Sequence, residues 1–343
     1  MVVRCEEIAR VHVRLFNTRR ILVAMLALWH LCVLGACATQ QSDVRRGAGS
    51  MDPAAMLVRL HDVAFPLLVA AAEWCPFEQE PTYGFFLKDQ EPPQAEGERT
   101  ELTASVAYVH PRLPAAAAGL VLDDQLVSVN ERPVTGIRAE EVSQWIRRMT
   151  VARIQPLQLE VARRGGHQIL NLWAVPSCQF SVQLTESDQI NGRADGRQVA
   201  ITTGAMRFLH SDSELAWVLA HEIAHNVLNH IQNARLRAML NAFLGATVGT
   251  SATVAASVPQ RSLEAQADYV GSYIMARAGY DLQPIKQFWR RMESLRSRAN
   301  IPEMDLTHPT TAERLAAFDV TLKEIEAKRD RGELLQPVLE NSQ

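Results

Sequence analysis

The chain has 343 residues, 47% of them hydrophobic and 21% charged, with a formal net charge of −3; this is ordinary globular composition with room for two domains. A charge so close to zero gives no electrostatic footing for nucleic acid, and no such partner is expected. The sequence contains no internal repeat, phosphate-binding loop or serine-nucleophile motif.

Arg19-Arg20 precede an uncharged apolar run, Ile21 to Leu34, that closes with Leu34-Gly35-Ala36-Cys37. A charged n-region, a short h-region and a lipobox are the parts of a lipoprotein signal peptide over 1–36. The run is short for a membrane span. Small residues before Cys37 suit cleavage with lipid on the new terminal cysteine, whereas bulky Trp29, His30 and Leu31 disqualify Cys32. An uncleaved anchor is the competing reading. Ala38 stands where an inner-membrane retention signal would be Asp, so the expected location is the periplasmic face of the outer membrane of a Gram-negative bacterium. Residues 37–51 are small and polar and read as a flexible tether.

Residues 52–79 read as a helical segment over Pro53 to Glu73, with Met56, Leu60, Val63, Leu67 and Leu68 on one side and Cys75-Pro76 ending it. Removing the signal peptide leaves three cysteines and lipidation takes Cys37, so only Cys75 and Cys178 remain. In an oxidising compartment this pair is expected to form a disulfide, two buried thiols being the alternative.

Residues 80–175 carry short strands at Ala104–Val109 and Gln125–Val129, an amphipathic helix at Glu140–Met149, and a hairpin of Leu157–Val161 with His167–Trp173. This order, with Ala118-Gly119-Leu120 through Val129-Asn130, resembles a bacterial PDZ domain. The resemblance implies that Tyr83, Gly84, Phe85 and Phe86 form a carboxylate-binding loop for a peptide added as a strand. Asp123-Asp124 and Glu131 depart from the usual glycines, and a spacer or lid is the other reading.

Residues 176–327 hold the chemistry. His221-Glu222-Ile223-Ala224-His225 is an H-E-x-x-H pattern within a helix that Ser211-x-x-Glu214 would cap and that is expected to run on past His225. Two histidines four apart reach one metal while Glu222 faces the adjoining space as a general base. His230 falls about 140° away on an extended helix, as a surface residue or one supporting the ligands. Ser262 would cap a second helix on which Glu264 and Asp268 share a face. Glu264 is the third ligand and Asp268 the acceptor that orients a ligand histidine; a solvated acidic face is the alternative for that segment alone.

With Thr307-His308-Pro309 and Arg314, the pattern resembles the HtpX-like and CAAX-protease-like gluzincin zinc metallopeptidases, in their periplasmic lipoprotein, BepA-like branch. The resemblance covers about residues 178–320 and implies one Zn2+ per chain, held by His221, His225 and Glu264. It also places His308 and Arg314 near the metal and substrate; an ordinary helix-end histidine is the other reading of His308. It further implies that Ile190-Asn191-Gly192 through Gly204 form the hairpin and edge strand along which substrate lies, with Asn191 at that edge. Met239–Val258 reads as a buried or mobile Gly/Ala-rich hairpin rather than a membrane insertion, Tyr280–Arg298 as an amphipathic helix, and 328–343 as a charged, frayed tail.

The expected fold class is α+β, a mainly helical zincin-type metalloprotease domain with a small β-hairpin or edge sheet, preceded by a PDZ-like β-rich domain. The expected function is zinc-dependent endoproteolysis of extended or misfolded envelope proteins, with outer-membrane assembly partners in view. A chaperone-like or peptide-binding assembly factor with a gated or inactive zinc site is the alternative. A third reading is a peptidase that requires a free peptide end.

Overall fold

The computed structural model describes residues 52–75, 79–90, 102–152, 156–230, 260–297 and 312–338. The expected signal peptide, Cys37, the tether up to residue 51, the 239–258 stretch and His308 lie outside the described residues.

Pro53 pre-sets the first turn of α1, Pro53–Ala70. A 3-10 turn, Ala72–Trp74, replaces the expected last helical turn. Met56, Leu60, Val63, Leu67 and Leu68 are buried in the same core as the later helices, each fully buried leucine contributing roughly 1.5–3 kcal/mol. The helix is long and apolar enough to cross a membrane by length and composition. Here that apolar face is used inside the protein, and residues 52–75 are part of the helical half rather than a separate segment.

The middle of the chain folds as a six-stranded antiparallel sheet. Its strands are β1 (Phe85–Gln90), β2 (Thr103–Val109), β3 (Gln125–Val129), β4 (Arg132–Pro133), β5 (Leu157–Arg163) and β6 (Gly166–Leu172), in the order β1-β2-β3-β5-β6 with β4 beside β3. A short helix α2, Pro114–Ala117, and the amphipathic α3, Ala139–Val151, complete it. The departures from glycine are absorbed in the backbone: Asp123 (φ 63°), Asn130 (φ 47°) and Glu131 (φ 63°) all take the left-handed conformation. Asp124 is buried and pairs with Arg163, Nε to Oδ1 at 2.5 Å and Nη2 to Oδ2 at 2.6 Å.

Of the expected carboxylate loop, Phe85 and Phe86 already belong to β1. Tyr83 is buried, with its hydroxyl 3.3 Å from Thr150 Oγ1, and the Gly84 N–H donates to Thr82 Oγ1 at 3.2 Å. Gly84 has φ +81°, and a Cβ there would run into the Leu113 side chain, so this position admits only glycine. Alternation along β1 separates its two aromatic residues. Phe85 packs into the core of the sheet domain, while the ring of Phe86 meets His61 and Phe65 of α1 at centroid distances of 4.8 and 5.4 Å.

That contact joins the sheet to the helical half. Tyr108 donates to Asp62 Oδ1 at 2.7 Å, and His110 Nε2 lies 3.1 Å from the Asp62 carbonyl. Burial lowers the His61 pKa to about 4, with His110 adding to the shift and Asp62 opposing it. The folded state therefore binds fewer protons than the unfolded state between pH 6.5 and 4. Stability is lost as pH falls through that window, by an amount on the order of 3 kcal/mol. Melting temperature measured from pH 7 to 4.5 should fall more steeply for the wild type than for His61→Leu; equal slopes would contradict this account.

Cys75 and Cys178 form a disulfide with Cα atoms 5.8 Å apart, next to bridges Gln79–Cys178 and Thr82–Val175. It closes the loop containing the whole sheet domain across 103 residues. Replacing both cysteines by serine should cost about 2–4 kcal/mol in denaturant unfolding; an unchanged midpoint would show that the bridging pairs suffice.

The helical half adds a three-stranded sheet of β7 (Ser181–Thr185), β8 (Gly192–Ala194) and β9 (Gln198–Thr202), in the order β7-β9-β8 with β8 antiparallel to β9. Helices α4 (Thr203–Phe208), α5 (Asp212–Val227), α6 (Gln260–Arg277), α7 (Ile285–Ser297) and α8 (Ala312–Asp330) follow. Four expectations change here. Helix α5 does not run on: it stops at Val227, and Asn229 (φ 54°) turns the chain, as an asparagine beyond a helix end can do. Helix α6 includes Gln260 and Arg261, so Ser262 lies inside its first turn rather than capping it. Helix α7 begins at Ile285, five residues past Tyr280, because Asp281 Oδ1 accepts the Gln283 N–H in a turn ahead of it. The tail is not frayed through 338: α8 continues to Asp330, Lys328 Nζ donates to the Gln336 carbonyl at 2.8 Å, and the Val338 N–H donates to Tyr269 at 3.1 Å.

Candidate metal centre

Ser211 caps α5 by accepting the Glu214 N–H at 3.2 Å. Glu214 reaches back one residue further than a capping box requires, to the His210 N–H at 2.8 Å, and also pairs with Arg291 of α7 at 2.6 Å. Arg59 of α1 adds a bond to Asp212 Oδ1 at 2.8 Å. The helix is thus fixed at its first turn by two neighbours. It is also packed closely at its middle, because a Cβ on Gly271 of α6 would stand 3.1 Å from both the Ala220 carbonyl oxygen and the His221 nitrogen. Ala267 and Gly271, four apart, are the small residues that let α6 approach.

This approach brings His221, His225 and Glu264 together, all buried, with one potential ligand atom from each lying within 4.8 Å of the others. The two Nε2 atoms are 3.1 Å apart. Glu264 Oε2 is 3.3 Å from His221 Nε2, and Oε1 is 3.5 Å from His225 Nε2. Tetrahedral zinc with ligands at about 2.0–2.1 Å separates its donors by about 3.3–3.4 Å, so the spacing fits that ion.

The outward sides of both rings fix their tautomers. His221 Nδ1 lies 2.9 Å from Asp268 Oδ1 and so carries the proton, leaving Nε2 as a lone pair. His225 Nδ1 is 3.1 Å from His230 Nδ1, and His230 Nε2 is 3.2 Å from Gln266 Oε1. With an acceptor at Gln266, His230 donates from Nε2 and accepts at Nδ1, so His225 donates from Nδ1 and also presents a lone pair inward. Two imidazole lone pairs and a carboxylate therefore converge on one point, a donor set that suits a cation. Burial opposes charge on His221, yet Asp268, Glu264 and Glu222 outweigh it and hold the pKa up to about 9, so at neutral pH a cation takes its place at Nε2 by displacing a proton.

Arg314, from α8, closes the back of the site. It donates to both oxygens of Asp268, Nε to Oδ2 at 2.6 Å and Nη2 to Oδ1 at 2.7 Å, and its Nη1 is 3.2 Å from Glu264 Oε2. Its guanidinium carbon lies 5.4 Å from the centre of the Trp289 ring. Burial opposes the charge, but Asp268 and Glu264 keep Arg314 firmly protonated.

Glu222 is 2% exposed and lines a cavity of about 100 Å³ with Asn191, Gly192, Phe208, Trp217, Phe288 and Trp289. Gly192 lets β8 approach the helix: a Cβ there would be 2.9 Å from Val218 Cγ1 and 3.6 Å from Glu222 Cγ. The structure thus gathers His221, Glu222, His225, Glu264, Asp268, Arg314 and Asn191 in one place. It sets Tyr83 to Phe86 in the sheet domain and Cys75–Cys178 at its base. Of the two readings of His230 the structure supports the one that backs the ligands, while Gln266 was not foreseen as its partner; the Leu228-Asn229 stop signal could have shown that α5 ends before His230.

Residues 157–321 match the model of Peptidase family M48, and residues 80–162 match that of the PDZ domain. The two matches overlap at β5, which pairs within the PDZ sheet. Similar solved structures include the HtrA3 PDZ domain bound to a phage-derived ligand, 21% identical over 29% of this chain and 88% of that one with a TM-score of 0.22. Another is the HtrA-type protease AlgW with a decapeptide, 24% identical over 29% of each chain with a TM-score of 0.22; the present chain spans under a third of it. No curated protein matches the chain. By these family models the helical half is similar to peptidase family M48 and the sheet domain to a PDZ domain.

Proposed function

We propose that this protein is a zinc endopeptidase that cuts extended or misfolded protein segments on the periplasmic side of the cell envelope, held there by a lipid on Cys37. The observation that carries the reading is the convergence of the two histidine lone pairs and the Glu264 carboxylate beside a buried Glu222. His221, His225 and Glu264 would hold the ion, which when bound supplies Lewis-acid activation of water and of the peptide carbonyl. Glu222 takes the proton from the attacking water and passes it to the leaving amine. Asp268 fixes the His221 tautomer, and Arg314 holds Asp268 and Glu264 in place. An extended substrate lies along β8, the end strand of its sheet, with Asn191 at the entrance. The cavity walled by Phe208, Trp217, Phe288 and Trp289 takes an apolar side chain next to the scissile bond.

Lipoprotein anchoring rests on the Leu34-Gly35-Ala36-Cys37 pattern, and the PDZ domain is proposed to present unfolded chains or assembly partners to the site. An internally quenched peptide with acetylated and amidated ends should be cut about as fast as its free-ended counterpart. A requirement for a free end would replace the endopeptidase by a terminus-specific peptidase.

A further inference from the structure

We infer that Asn226 is a positioning residue that pins the substrate-bearing edge strand to the metal-bearing helix; the inference rests on the endopeptidase reading above. Asn226 follows His225 directly and is 1% exposed, set 100° round the helix from it. Its Oδ1 accepts the N–H of Gly196 at 2.7 Å, and its Nδ2 donates to the carbonyl of Gln198 at 3.2 Å. Gly196 lies in the tight turn between β8 and β9, and Gln198 is the first residue of β9. That turn is shaped by Asp195, whose Oδ1 accepts the N–H groups of Arg197 and Gln198 at 2.9 Å each, and by Gly196 at φ +97°. The Gln198 carbonyl also closes the hairpin by accepting the Asp195 N–H at 3.2 Å.

A single carboxamide therefore grips a backbone donor and a backbone acceptor two residues apart. Only a side chain with both functions at this length can do so: aspartate keeps the acceptor and lacks the donor, and leucine keeps the shape alone. The other end of β8 is held by contact, since Gly192 lies against Val218 and Glu222. With the turn that follows it and the first residue of β9 hydrogen-bonded to the helix and its own first residue close against the helix, the strand has little freedom to slide. The helix that carries Glu222 and two ligand histidines thereby sets the offset of a chain laid along β8. A misplacement of about 1 Å at such a site costs up to about 100-fold in rate.

The test compares wild type, Asn226→Asp and Asn226→Leu on two quenched peptides, one long enough to lie along β8 and one flanking only the scissile bond. Zinc content and amide hydrogen exchange over 192–198 are measured alongside. Asn226→Leu should lower kcat/KM at least tenfold more for the long peptide than for the short one, chiefly through KM, and speed exchange in the hairpin. Asn226→Asp should fall between. Equal losses on both peptides, or loss of zinc, would put Asn226 in the metal site and overturn the inference. Unchanged exchange would overturn the pin whether or not the chain cuts. No cleavage by the zinc-loaded wild type overturns the endopeptidase reading, and the positioning role with it.

Discussion

Glu222→Gln is expected to lower kcat by about 10²–10⁴-fold, the usual worth of a positioned general acid–base, while zinc binding stays intact. The three convergent donors come from His221, His225 and Glu264, so the change leaves the ligand set untouched. Glutamine is nearly isosteric, and Glu222 is packed at 2% exposure against β8, so the local structure should hold as well. What glutamine cannot do is accept the proton of the attacking water. His221→Ala is the contrast, losing zinc and rate together. Metal analysis paired with single-turnover cleavage separates the two variants. An unchanged rate for Glu222→Gln would remove the general base from the account.

Arg314→Leu is expected to destabilise the protein by about 3–5 kcal/mol, because it removes the cation from a buried ionic cluster and leaves its anions uncompensated. Arg314 is the partner of both Asp268 oxygens and stands 3.2 Å from Glu264, and both carboxylates are buried. The cost falls on the metal site as well. Asp268 freed from Arg314 orients His221 less firmly, and loss of such an outer hydrogen-bond partner typically weakens metal affinity by 10–100-fold. Denaturant unfolding with and without saturating zinc should show the larger deficit with it, by about 1.4–2.7 kcal/mol, because a 10–100-fold weaker affinity returns that much less binding free energy to the variant. A stability equal to wild type in both conditions would contradict the cluster's proposed role.

The chemistry-bearing residues were legible where local periodicity carries the information. An H-E-x-x-H on a helix and an E-x-x-x-D on another each fix their own face, and the sheet domain's strands and helix could be placed from alternation and turn residues. Where local pattern was carried past a break in the chain, or charge alone was read, the outcome was less definite or wrong. His230 was placed by continuing α5 at 100° per residue, which left a surface position and a ligand-supporting one both open; the helix stops at Val227, Asn229 takes a positive φ, and His230 lies against His225, the ligand-supporting reading. The tail was read as frayed from its charge alone, yet Lys328 uses that charge to bind Glu324 at 2.9 Å and the Gln336 carbonyl.

The Cys75–Cys178 bridge and the approach of Glu264 and Asp268 to His221 were legible from residue chemistry, but other contacts between distant segments were not. Arg314 lies 46 residues from Asp268, and no local pattern near it announces a partner; it entered only through a family resemblance. Asn226 reads in sequence as one more polar residue on a helix, and its role depends on a turn 30 residues earlier. Phe86 was grouped with a binding loop because its neighbours in sequence suggested one. Strand alternation instead turns it towards α1, where His61 and Phe65 meet it.

The central claim is that the His221, His225 and Glu264 centre drives internal peptide-bond hydrolysis. Its most direct test is to incubate an unfolded protein with the zinc-stripped chain, the same chain reloaded with zinc, and zinc-loaded Glu222→Gln, and to map new termini by mass spectrometry. Internal cuts confined to the zinc-loaded wild type are the predicted result. No cuts by the reloaded wild type, with zinc bound at one ion per chain, would contradict the account and leave a metal-bearing binding factor in its place.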